Sequence, residues 1–141
     1  MVRGNITRAM VKQHIKLHWI LVHLRMYADQ NNVEMVKKKI KEFKKKQKIH
    51  IVAEERWLIS MAKGSKEKNL AIKIKKQHKM VPKLLEDIDK TIKQKRNVQV
   101  PTLRLQEFMG EHLRLEENRF YPELDKRLQD TDVEKIIKKL K

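Results

Sequence analysis

The sequence contains no cysteine. Disulfides, zinc ribbons, thiolate-bound metals and cysteine nucleophiles are excluded, and any metal must be held by histidine and carboxylate. Glycine and proline number three each. Sheets and loop-rich folds need more turn residues than that, so the scarcity favours long helices with few connections. Aromatic residues are sparse, with two Trp, two Tyr and three Phe, which leaves little to stack on nucleic-acid bases. No apolar run approaches the roughly 20 residues of a membrane span, and the opening MVRGNITRAMVKQHIK lacks the apolar core of a signal peptide. The expectation is a cytoplasmic protein with no membrane partner.

Acidic residues are also in short supply. Thirty-five Lys plus Arg face eighteen Asp plus Glu, a formal charge of +17. Most of the excess is lysine, in runs such as KKKIKEFKKKQK and IKIKKQHK. A field of that size attracts polyanions, but lysine-rich helix faces also serve solubility. Nucleic acid bound through the lysine-rich faces is therefore the alternative reading, a basic helical module.

What is present is helical periodicity. The length suits one domain, residues 1–141, with 40% hydrophobic residues available for a core. Apolar residues recur at 3.6-residue spacing in four long segments, about 5–29, 33–62, 66–95 and 101–129, and a short helix follows at about 131–140. Between the second and third, KGS reads as a C-cap glycine, Gly64, and an N-cap serine, Ser65. Pro82 should kink the third helix, and Pro122 the end of the fourth. No internal repeat beyond similar helix lengths is evident. The predicted fold is all-α, an up-down-up-down four-helix bundle with a short C-terminal helix.

Six histidines punctuate these helices: His14, His18, His23, His50, His78 and His112. Two carry a glutamate four residues later, His50 with Glu54 and His112 with Glu116. That spacing puts both side chains on one helix face, one turn apart. Bundle geometry then relates the helices. Antiparallel neighbours place residues equidistant from their turn at one height. Reflecting the His50–Glu54 level through the first turn lands within about one helical turn of His14, and through the second within a turn of His78. Reflecting His78 through the third connection lands near His112 and Glu116. Each position lies on its helix's apolar stripe. Histidine and glutamate buried together, without lysine or arginine to pair them, point to a cation. Nitrogen and carboxylate donors without sulfur suit iron, manganese or zinc.

His18 lies one turn from His14 on nearly the same face, as its replacement or a fifth imidazole. His14 ranks first because its height matches better. His23 lies on the opposite face and reads as non-ligating. Trp57, Phe108 and Phe120 read as core that excludes solvent from the site. Gln47, one turn before His50, is either a hydrogen bonder behind it or half-exposed. Tyr27 and Tyr121 read as boundary packing.

The ordered pattern His14, HIVAE (His50 to Glu54), His78 and HLRLE (His112 to Glu116) resembles the hemerythrin-like family of HHE cation-binding bundles. The tail EENRFYPEL is similar to the segment that commonly follows the family's HxxxE, and the likeness covers about residues 8–128. The resemblance implies a non-haem di-iron centre with an oxo or hydroxo bridge. Glu54 and Glu116 would bridge the two Fe ions, and His14, His50, His78 and His112 would be terminal ligands. An open position on each metal would take O2, NO or peroxide. Oxygen-carrying members have a second third-helix histidine, where this chain has Pro82, and a carboxylate five residues after the fourth-helix histidine. Glu116 and Glu117 are both candidates for the latter role. The proline points away from oxygen storage and towards sensing, nitrosative-stress response or repair of iron centres. Oxidase or peroxidase chemistry at the same centre is a further reading.

Overall fold

A computed structural model describes residues 4–140. Its helices are α1 (Asn5–Asp29), α2 (Val33–Trp57), α3 (Gly64–Lys93), α4 (Gln99–Leu115), α5 (Tyr121–Arg127) and α6 (Asp130–Leu140). A 3₁₀ turn, Ile59–Met61, follows α2, and a π-helical turn, Glu116–Phe120, joins α4 to α5. Among the described residues there is no strand. The fold is all-α, as the composition implied.

Local chemistry sets the ends of the helices. Asn31 and Lys95 adopt left-handed backbone, with φ of 55° and 56°. Each reverses the chain and lets the next residue bond back into its helix: Asn32 N–H to the Tyr27 carbonyl and Arg96 N–H to the Thr91 carbonyl. The Asn32 side chain then accepts from Met35 N–H at 3.2 Å and opens α2. At the second connection the predicted serine cap does not form. The α3 N-cap is Lys63, whose N–H donates to Glu67, and Ser65 lies in the first turn. With such short connections, consecutive helices return alongside one another. Helix α1 packs on α2 and α4, and α3 packs on α4 and α2.

Helix α3 is continuous through Pro82, which sits on its exposed side. One further expectation needs correcting. The fourth segment is not one helix to residue 129. It changes to π geometry at Glu116, because Pro122 has no N–H to give the carbonyl four residues back and its ring crowds that carbonyl. The wider turn bonds Tyr121 N–H to the Glu116 carbonyl instead.

The core has two apolar halves. One gathers Leu17, Leu21, Leu24, Phe43, Leu85, Leu105 and Met109 towards the α1–α2 turn. The other gathers Ile6, Met10, Leu58, Ile74, Phe120, Tyr121 and Leu124, closed over by Val133 and Ile136 of α6. Along every long helix the change from one half to the other falls at a buried histidine or glutamate.

Candidate metal centre

The layer between the two halves holds His14, His50, Glu54, His78, His112 and Glu116, each no more than 4% exposed. Helix α1 supplies His14, α2 supplies His50 and Glu54, α3 supplies His78, and α4 with its π turn supplies His112 and Glu116. Among the described residues no lysine or arginine is buried.

The donor atoms form two groups that share both carboxylates: His14, His50, Glu54 and Glu116, and His78, His112, Glu54 and Glu116. Within each group the ligand atoms lie within 4.8 Å of one another. His14 Nε2 is 3.2 Å from Glu116 Oε1, and His112 Nε2 is 3.4 Å from the same oxygen. His78 Nε2 is 2.9 Å from Glu54 Oε1, and His50 Nε2 is 3.5 Å from Glu54 Oε2. Glu54 thus reaches across to α3, and Glu116 across to α1.

The other nitrogen of each ring is also engaged. His14 Nδ1 donates to Glu117 Oε2 at 2.9 Å, and His50 Nδ1 to Gln13 Oε1 at 2.7 Å. His78 Nδ1 donates to Glu55 Oε2 at 2.9 Å, and His112 Nδ1 to Gln77 Oε1 at 2.6 Å. Every outer partner is an oxygen acceptor, so each ring carries a proton on Nδ1 and turns Nε2 inward, where its lone pair is free for a metal once no proton occupies it. The Nε2 atoms of His50, His78 and His112, Oε1 of Glu54 and both carboxylate oxygens of Glu116 have no hydrogen-bond partner. Lone pairs facing each other at about 3 Å in a dry interior repel unless a cation or proton lies between them. The donor set fits metal ions.

Protonation shows the same frustration. Burial pushes Glu54 up, but contacts with Glu116, His50 and His78 outweigh it and hold its carboxyl well below the usual range. Burial and the adjacent Glu54 charge push Glu116 well above it. Burial works against a charged His78, yet contacts with Glu116, Glu54 and Glu55 lift it to about 10. Burial lowers His112 to about 3. The unlike values keep protons where cations would otherwise neutralise the carboxylates.

The remaining sequence candidates separate cleanly. His18 is exposed and His23 half-buried, both beside exposed Trp19, outside the layer. Glu117 lies behind His14 rather than inside the layer. Phe120 is fully buried and Phe108 half-buried against the first core half. Trp57 is not core: it lies half-buried beneath Arg56 and Lys139, whose cationic groups are 4.9 and 4.0 Å from its ring. Gln47 is buried with neither amide atom hydrogen-bonded. Flanking His78 by one turn are Ile74, buried and apolar, and Pro82, exposed.

Tyr121 departs furthest from its expectation. It is fully buried, donates its hydroxyl to Glu54 Oε2 and lies 3.2 Å from His14 Nε2. In a π turn the residue five positions on stacks over the first, so Tyr121 sits above Glu116. The structure also gives meaning to a short repeat. The pairs Gln13–His14 and Gln77–His78 match, as do HIVAEE from His50 and HLRLEE from His112. The Gln–His pairs supply Gln13 and Gln77, and the HxxxEE motifs supply Glu55 and Glu117, so the repeats provide all four outer partners.

A family profile, the hemerythrin HHE cation-binding domain, matches residues 5–124. No curated protein and no solved structure was found to match the chain. No described helix is long and apolar enough to cross a membrane. Chain-long agreement in family pattern, with histidine and glutamate groups able to hold metal, leads to one conclusion: the chain belongs to the hemerythrin HHE cation-binding family.

Proposed function

We propose that the protein holds two metal ions, iron by preference, and uses them to bind a small ligand: dioxygen, nitric oxide or peroxide. The observation that carries this reading is the convergence of unpartnered Nε2 and carboxylate atoms into two groups sharing Glu54 and Glu116. His14 and His50 would hold one ion, His78 and His112 the other, and the two carboxylates would span both. Bound there, the metal pair would supply reversible coordination of, and electron exchange with, the small ligand. The chain's own contributions are specific. The Nδ1 bonds fix each imidazole in its donating tautomer. Phe120, Met10 and Ile74 keep bulk water from that end of the layer. Tyr121 holds a proton at its hydroxyl, where burial and the adjacent carboxylates push its pKa well above the usual phenol range.

Sensing or iron handling is favoured over oxygen storage. One imidazole from α3, flanked by Ile74 and Pro82, leaves four imidazoles in the layer rather than five. Anaerobic Fe(II) loading followed by absorption spectra before and after air tests the proposal. New near-ultraviolet bands that require both iron and air support it; an unchanged spectrum contradicts it. The +17 charge supports a compatible second activity, docking to a polyanion through lysine faces, which predicts steeply salt-dependent binding.

A further inference from the structure

The outer partners of the four histidines form a closed cycle around the bundle. His50 on α2 is held by Gln13 on α1, and His78 on α3 by Glu55 on α2. His112 on α4 is held by Gln77 on α3, and His14 on α1 by Glu117 of the π turn. Each partner comes from the preceding helix, so the cycle locks every helix to the next at one height. The chemistry alternates. Each prospective metal position has one histidine backed by a glutamate and one backed by a glutamine.

We infer that Glu55 and Glu117 are positioning residues that give the two metal positions matched charge and affinity. The inference rests on the two-metal reading above. Two inner and two outer carboxylates carry the negative charge needed by two divalent cations, with one outer carboxylate on each side. A carboxylate accepting from Nδ1–H makes its imidazole a stronger donor than an amide does. His14 and His78 are thus the stronger donors, one per metal, and His50 and His112 the weaker. The glutamines keep ring orientation without adding charge. Gln13 has its amide fixed by a second contact, donating from Nε2 to the Leu140 carbonyl at 3.1 Å, so its oxygen must face His50.

Zinc(II) titration calorimetry on the full chain tests this, with Glu117→Gln and Glu55→Gln as isosteric variants that keep a hydrogen-bond acceptor. Wild-type protein should bind two ions with closely similar affinities. Each single variant should weaken one ion by roughly 10- to 100-fold and leave the other unchanged. The double variant should weaken both and restore their equality. Adding Gln77→Glu to Glu55→Gln returns the charge to the same metal position through His112 and should recover most of the loss. Side-chain NMR of the zinc-loaded protein adds a readout that packing alone would not move: the Nδ1–H signals of His14 and His78 should lie downfield of those of His50 and His112, and each should shift upfield in its own variant. Single variants that bind two ions as wild type does would overturn the inference. Wild-type protein binding fewer than two ions would instead contradict the two-metal reading, and this inference with it.

Discussion

The hydroxyl of Tyr121 donates to Glu54, tying the segment after the π turn to the carboxylate of α2. The same hydroxyl lies 3.2 Å from His14 Nε2. It is therefore the one buried phenol beside both prospective metal groups among the described residues. Tyr121→Phe removes the proton and keeps the ring that fills the second core half. The variant should still bind two metals, but should release nitric oxide about tenfold faster, the loss expected for one hydrogen bond to a charged or polar ligand. Stopped-flow release kinetics would show it. Unchanged release would mean that Tyr121 serves only Glu54.

Metal-free protein should lose stability as pH rises above about 6.5. His78 is raised from 6.5 to about 10 in the fold, so its contribution is complete below 6.5 and disappears as pH climbs through about 10. Glu116 is also raised above its ordinary range by burial and the Glu54 charge, so its contribution has the same sign and is lost as pH rises. Metal loading should displace these protons. Thermal melts between pH 6 and 10, with and without zinc, test the point. The metal-free melting temperature should fall across this range and the zinc-loaded one should fall less. Parallel curves would contradict the assignment.

Asp125 of α5 caps α1 from across the fold. Its carboxylate accepts from Ile6 N–H at 2.9 Å, Thr7 N–H at 3.1 Å and Thr7 Oγ1 at 2.6 Å. Nothing local does this for α1, whose N-cap, Gly4, has no side chain. A Cβ at Gly4 would lie 2.2 Å from Asp125 Cγ, so the glycine makes room for the cap. The contact also fixes α5, and hence Tyr121, against the helix that carries His14. Asp125→Ala should cost about 1–2 kcal/mol of stability, and Gly4→Ala a similar amount by displacing the carboxylate. Urea denaturation of each variant measures this, and an unchanged midpoint would show that the cap contributes nothing.

The layer is legible in the sequence because the two rules that place it are purely geometric. An i,i+4 pair shares a helix face, and short connections fix the relative heights of antiparallel helices. His50, Glu54, His78, His112 and Glu116 were legible on that basis, and height also separated His14 from His18. Other features depend on angles that periodicity does not carry. The π turn rotates everything after Glu116, so Tyr121 looked like a boundary residue on a regular helix wheel and is in fact inside. Trp57 lay on the apolar stripe, yet α2 ends there and the indole lies beneath two cations instead of entering the core. The long-range cap by Asp125 leaves no local trace. The outer partners did leave one, the doubled Gln–His and HxxxEE patterns, which mark the layer's two-fold character within a single chain.

The most direct measurement is the metal-to-protein ratio after anaerobic Fe(II) loading and desalting, for wild type beside Glu54→Ala and Glu116→Ala. Two shared carboxylates holding two ions predict close to two irons per chain in wild type and a loss at both positions in either variant, since each glutamate belongs to both groups. One iron or none in wild type, or a variant that keeps both, would contradict the account.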